Sequence, residues 1–307
     1  MKTDKEIKMI LSACMATHGI DTSEGVNGIV YAKDVGFINK CSEFIAGTAK
    51  MDACYVGETA NDIILAFRGT SIDFKEAPVK VIADWLNDFM AKPIEIEGIP
   101  GELHKGFTSS VERLWEKGFA KEVQDRMEGG KNLIVTGYSK GAAVAPIAAV
   151  FLKEKLKIDP KRMSVCIFEA PRPGNPKFAR YFNRTFPETL RYAYQDDLIP
   201  HVPPVRPVSR LISEIPWIGD ILEKYDDIDD WNYKSVGNLK FVDWDNNIVD
   251  GSAKITVERI SHLINLTLKG DFLESIKEHM PCGHIYDVIM GKECPKVDKS
   301  QKIISKK

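Results

Sequence analysis

The segment Asn132–Leu156, NLIVTGYSKGAAVAPIAAVFLKEKL, constrains the fold more than any other part of the chain. Asn132–Thr136 is an apolar, β-branched run of strand length, and Ala142–Leu156 is an alanine-rich helical stretch. Only Gly137-Tyr138-Ser139-Lys140-Gly141 separates them. A strand that passes so quickly into a helix belongs to a parallel sheet, with the helix folded back across one face. The two glycines let neighbouring backbone come close, and Ser139 at the apex must take strained angles. Such a turn lifts the serine oxygen out of the sheet, and the helix start presents N–H groups to a developing negative charge. The plainer alternative is a glycine-rich turn ahead of a helix; the strand before and the helix after favour the first reading.

Other elements repeat the pattern. Asp62–Phe67 is a short apolar run entering a turn at Arg68-Gly69-Thr70. Ser109–Met127 has helical spacing and is stopped by Gly129-Gly130, while Met163–Phe168 and Leu190–Tyr194 are further buried strands. Strand, helix, strand, helix, strand predicts an α/β fold, with a mostly parallel central sheet and helices on both faces. The 307 residues are read as one domain, 1–307. Residues 205–230, holding Pro207, Pro216 and an acidic run, break the rhythm and read as an insertion over the sheet. Asn238–Trp244 and Asn247–Ile255 read as a hairpin. Asp243, Asp245 and Asn247 partly match a calcium loop, but Ile248 stands where glycine is required, so a hairpin turn is favoured. Residues 296–307 read as a solvated tail.

Composition removes some function classes. A net charge of −2 leaves no electrostatic footprint for nucleic acid. No apolar run approaches the roughly 18 residues of a membrane span. The first residues mix Asp4, Lys5, Glu6 and Lys8 with apolar positions at helical spacing, which reads as an amphipathic helix rather than a signal peptide. The six cysteines (14, 41, 54, 166, 282 and 294) lack CxxC spacing and read as free thiols. Together these features lead us to expect a cytoplasmic protein.

Serine alone is a poor nucleophile; it needs a base, and the base needs an orienting carboxylate. FRGT (Phe67–Thr70), DWLND (Asp84–Asp88), LHKGF (Leu103–Phe107), GYSKGAA (Gly137–Ala143), EAPRPGNPKFA (Glu169–Ala179) and DLIPHVPP (Asp197–Pro204) stand in one order and spacing. In these stretches the chain resembles the class 3 lipases, the fungal-lipase-like branch of the α/β hydrolases. The resemblance implies an α/β-hydrolase fold and a serine hydrolase acting on esters, a lipase or carboxylesterase, with no metal or organic cofactor. It implies Ser139 as nucleophile and Asp197 as acid, with the adjacent Asp196 as the alternative. Backbone N–H groups of Thr70 and Lys140 are implied as oxyanion donors, although lysine departs from the apolar residue or histidine usual after the nucleophile. The base is implied near the C-terminus, in a loop before a final helix. His18, His104, His201 and His262 fit that place poorly, leaving His279 and His284. We favour His284, which follows Cys282-Gly283 and precedes Tyr286 and a short apolar stretch. The family carries its lid where residues 71–83 lie, implying transient contact with a lipid surface; an ordinary surface loop is the alternative there. A phospholipase or acyltransferase using the same three residues, or an inactive homologue serving as a binding module, are the competing functions.

Overall fold

A computed structural model describes residues 2–70, 89–205 and 230–295, with five isolated positions (209, 213, 219, 223 and 224) between the last two segments. The expected lid at 71–83 and the DWLND stretch lie outside the described residues, as do most of the 205–230 insertion and the tail at 296–307. Counting helices of six residues or more, the chain runs α1 (Asp4–Ala16), β1 (Ser42–Ala46), β2 (Asp52–Glu58), β3 (Asp62–Phe67), β4 (Pro93–Ile96), β5 (Ile99–His104), α2 (Lys105–Glu116), α3 (Phe119–Met127) and β6 (Asn132–Tyr138). It continues with α4 (Lys140–Leu156), β7 (Met163–Phe168), α5 (Pro176–Thr185), β8 (Leu190–Tyr194), β9 (Asn238–Val242), β10 (Ile248–Asp250), α6 (Ala253–Lys269), α7 (Phe272–Lys277) and α8 (Ile285–Met290).

The sheet has eight strands in the order β1-β2-β3-β6-β7-β8-β9-β10. The run β3-β6-β7-β8-β9 is parallel, and β1, β2 and β10 add antiparallel edges. Period-2 alternation sends the side chains of each central strand to two different cores. Ile63, Leu65 and Phe67 of β3, with Leu133 and Val135 of β6, pack on the side holding α2, α3, α4 and α5. Ile64, Ala66 and Ile134 face the opposite side, where α1 and α8 lie. Both faces are thereby covered, and every residue of α4 from Gly141 to Leu152 is buried.

The N-terminal stretch forms the expected helix and begins at a capping box in which Thr3 and Glu6 cap each other. Its last turns are buried on the sheet, where the Tyr55 hydroxyl donates to the Ala13 carbonyl at 2.9 Å. Two spans depart from expectation. The helix read across 109–127 is broken into α2 and α3, because Gly118 takes φ +97° between them. The second hairpin strand ends at Asp250, because Ser252 Oγ accepts the Ile255 N–H at 3.2 Å and starts α6 instead. The 243–247 turn is closed by Asp243, whose Oδ1 accepts the N–H groups of Asp245 and Asn247, as a hairpin turn rather than an ion loop.

The expectation of six free thiols is corrected. Cys282 and Cys294 form a disulfide across 12 residues, while Cys14, Cys41, Cys54 and Cys166 are free and buried. The bridge closes a loop that carries α8, whose Ile285, Tyr286, Ile289 and Met290 join the core under α1. Replacing both Cys282 and Cys294 by serine is expected to lower unfolding free energy by about 2–3 kcal/mol, the loop-closure value for a ring of this size. Urea unfolding of the double variant and of the oxidised parent checks this; coincident midpoints would refute it.

Candidate active site

The geometry at Ser139 begins with backbone contact. A Cβ on Gly141 would stand 2.1 Å from the Phe67 carbonyl oxygen, and one on Gly137 would stand 2.3 Å from Gly141. Neither position can carry a side chain, so β6, the end of β3 and the start of α4 touch directly. The chain can turn here only by placing Ser139 at φ +56°, ψ −128°, a strained conformation for a residue with a side chain. Gly69 lies against the same turn, since a Cβ there would be 2.9 Å from the Tyr138 carbonyl oxygen and 3.3 Å from Ser139 Cβ. Thr70 follows it and lines one cavity with Ser139, His279 and Met280.

Ser139 Oγ lies 2.7 Å from His279 Nε2, and His279 Nδ1 lies 2.6 Å from Asp197 Oδ2. All three side chains are buried, with exposures of 4%, 2% and 0% respectively. Asp197 accepts only; its Oδ1 takes the Ile199 N–H at 2.8 Å, and its Oδ2 therefore holds the ring proton on Nδ1. That leaves Nε2 as the acceptor for the serine hydroxyl, the tautomer general-base chemistry needs. The histidine backbone is tied to the same turn, because the Tyr138 hydroxyl donates to the His279 carbonyl at 2.7 Å.

The histidine that meets Ser139 is His279, not the expected His284. His284 opens α8; its Nδ1 pairs with the Met280 carbonyl at 3.0 Å, and its ring stands edge-on to Tyr194. The physical reason is that α7 ends at Lys277, so His279 already sits in the loop beyond a helix and its carbonyl meets Tyr138. Of the two adjacent carboxylates, Asp197 faces the imidazole, while Asp196 turns away and accepts the Trp244 indole N–H at 3.0 Å.

Lys140 is the first residue of α4, where a backbone N–H has no acceptor within the helix. Its side chain runs elsewhere: Nζ meets Asp52 Oδ1 at 2.7 Å, and Asp52 also takes Ser110 Oγ and Arg113 Nε. Burial pushes the Asp52 carboxyl up, but Lys140 and its other donors outweigh this and hold it below its usual value. His104 is structural in geometry. It caps α2 through the Phe107 N–H, pairs with the Phe89 carbonyl, stacks on Phe107, and is pushed down to about 4 by burial.

The chain has an α/β-hydrolase fold in which a serine, a histidine and an aspartate are brought into one hydrogen-bonded line. Residues 64–206 match the family described as lipase (class 3). It is 34% identical to a lipase of Rhizopus niveus over 145 residues, 46% of this chain and 35% of that one. The chain thus spans about a third of the length of that relative. It is 24% identical to the secreted mono- and diacylglycerol lipase 1 of Fusarium solani, covering 71% of this chain and 61% of that one. The solved structure of lipase II from Rhizopus niveus superposes with a TM-score of 0.61 at 21% identity, covering 82% of this chain and 86% of that one. The expectation of a cytoplasmic setting is overturned by relatives named as secreted, and the absence of a recognisable signal segment was too weak a reason for it. Among the described residues no helix is long and apolar enough to cross a membrane.

One neighbour of the site titrates near neutrality. Burial pushes Glu278 up to about 7, with Asp196 and Asp197 adding to this and the Asp196 N–H opposing it. Its folded value lies above its ordinary 4.5, so the folded state holds this proton more tightly than the unfolded chain does. Its contribution is therefore present below about pH 4.5 and is lost as pH rises through about 7. Glu278→Gln keeps an acceptor for Asp196 without the charge. We expect it to gain about 1–2 kcal/mol over the parent on going from about pH 5 to pH 8, the shift being discounted for partial exposure. Denaturant melts at the two pH values check this; a constant difference would contradict it.

Proposed function

We propose that this chain is a serine hydrolase of carboxylic esters, lipid esters above all, working through an acyl-enzyme. The observation that carries the reading is the continuous line from Ser139 Oγ through the His279 ring to Asp197, at 2.7 and 2.6 Å. Ser139 Oγ attacks the ester carbonyl as its proton passes to His279 Nε2, and Asp197 stabilises the imidazolium that forms. The carbonyl oxygen becomes an oxyanion at the start of α4, where the Lys140 N–H and the Thr70 N–H are its donors. Collapse expels the alcohol with the proton from Nε2, and water then repeats the sequence on the acyl-serine. Lysine after the nucleophile is compatible with this, because the donor is backbone and its ammonium is engaged by Asp52. The lipid preference is supported by relatives named as lipases, among them mono- and diacylglycerol lipases.

Single variants assayed on a short-chain p-nitrophenyl ester and with a fluorophosphonate probe test the assignment. Ser139→Ala and His279→Ala are each expected to lose turnover about a thousandfold or more. Asp197→Asn is expected to lose about 10⁴-fold by freeing the wrong tautomer. His284→Ala is expected to keep both turnover and labelling. Loss of activity in His284→Ala together with its retention in His279→Ala would overturn the base assignment. Acylglycerols tested beside phospholipids then read out the head-group class.

A further inference from the structure

The carboxyl of Glu169 stands behind the proposed triad, and nothing in that mechanism uses it. Glu169 is fully buried and follows directly on β7, whose last carbonyl, that of Phe168, receives the Ser139 N–H at 3.0 Å. Its backbone is held by a bond from its own N–H to the Tyr192 carbonyl, at φ +51°, in the left-handed region that favours glycine. A glutamate kept at a positive φ and fully buried is strained, and such strain points to a use for its side chain. One carboxylate oxygen of Glu169, one of Asp197 and one ring nitrogen of His279 lie within 4.8 Å of one another.

Two carboxyl groups this close and this dry cannot both be ionised. The donors decide which keeps the proton. Asp197 receives two, from Ile199 N–H and His279 Nδ1, and both favour its charged form. Glu169 has no donor at full hydrogen-bond geometry, and the backbone N–H of Tyr194 is the weakest of the influences on it. We propose that Glu169 is a neutral carboxylic acid that donates a hydrogen bond to the Asp197 carboxylate, a positioning residue that limits how tightly His279 holds its proton. Burial pushes its carboxyl well above the usual range, and the charge and hydrogen bond of Asp197 push the same way. Arg259, 4% exposed, pulls less strongly in the other direction. The remaining titratable or charged groups that feel it are Arg191, Tyr138 and Tyr194, with Asp196 and Glu278 beyond Asp197. The three clustered groups also have the spacing of cation ligands. Both ring nitrogens of His279 are already engaged, however, so the arrangement shares protons rather than binding a metal.

The proposal rests on Ser139 and His279 acting as described above, and the test separates the two. Glu169→Gly suits the positive φ and removes the donor, whereas Glu169→Gln keeps an N–H donor without a titrating group. Thermal unfolding establishes that each variant is folded. The acid limb of kcat/KM, and of the rate of fluorophosphonate labelling, is then followed against pH. With its hydrogen bond from Glu169 gone, Asp197 holds the imidazolium more tightly. The limb of Glu169→Gly is expected to move up by about one pH unit while that of Glu169→Gln stays in place. A downward move in both variants would show an ionised Glu169 and overturn the proposal, and so would two limbs that do not move. A parent chain that neither turns over nor labels overturns the triad and this role together, whereas a labelled parent with unmoved variant limbs overturns this role alone.

Discussion

The contact between Gly141 and the Phe67 carbonyl governs how the rest of the site is arranged. With no room for even one methyl group, the start of α4 is pinned against the end of β3, and the chain leaving β6 must reverse over five residues. The positive φ of Ser139 and the outward N–H of Lys140 follow from that single approach. So does the position of Thr70, since Gly69 is packed on the same turn from the other side. The proposed nucleophile and both proposed donors are therefore set by a local backbone fit that does not depend on what any neighbouring side chain can reach. The strain at Ser139 is held by parallel strands buried on both faces, which leave the turn no softer direction in which to relax.

The histidine is placed by a different kind of force. It arrives from a segment 140 residues further along the chain and is held by a phenol on the residue before the nucleophile, Tyr138. This explains what could be read from the sequence and what could not. The turn 137–141 and the strands at 62–67, 132–136, 163–168 and 190–194 were legible, because glycine spacing and apolar runs are local signals. That Asp197 would approach a histidine was an expectation from its motif, and it does lie 2.6 Å from the His279 ring. The choice between His279 and His284 was not, because it depends on where α7 stops and which carbonyl meets Tyr138. Likewise β1 and β2 were missed: SEFIA and DACYVGE alternate weakly, and their strand character comes from pairing in antiparallel register with each other and with β3. The hairpin β4–β5 escaped for the same reason.

Lys140 shows how a departure from a family pattern is absorbed. A lysine beside a nucleophile could disturb the field felt by the reacting ester. Here its ammonium is paired with Asp52, which Ser110 and the half-exposed Arg113 also bind, so the lysine charge is held at that carboxylate. The carboxylate and the lysine are both largely hidden, at 1% and 16% side-chain exposure, and the pair holds because every strong donor finds an acceptor.

The first helix and the last described helix meet. Ile7, Ile10 and Leu11 of α1 share a core with Ile285, Tyr286, Ile289 and Met290 of α8, and Ser12 Oγ lies 4.0 Å from Met290 Sδ. His279 shares a cavity lining with Cys14, Thr17 and His18, residues at and just beyond the end of α1, so the histidine is seated where α1 meets the sheet. Serine and carboxylate are synthesised long before the imidazole, so the hydrogen-bonded line can close only after residue 279 has been added and has folded back onto Tyr138.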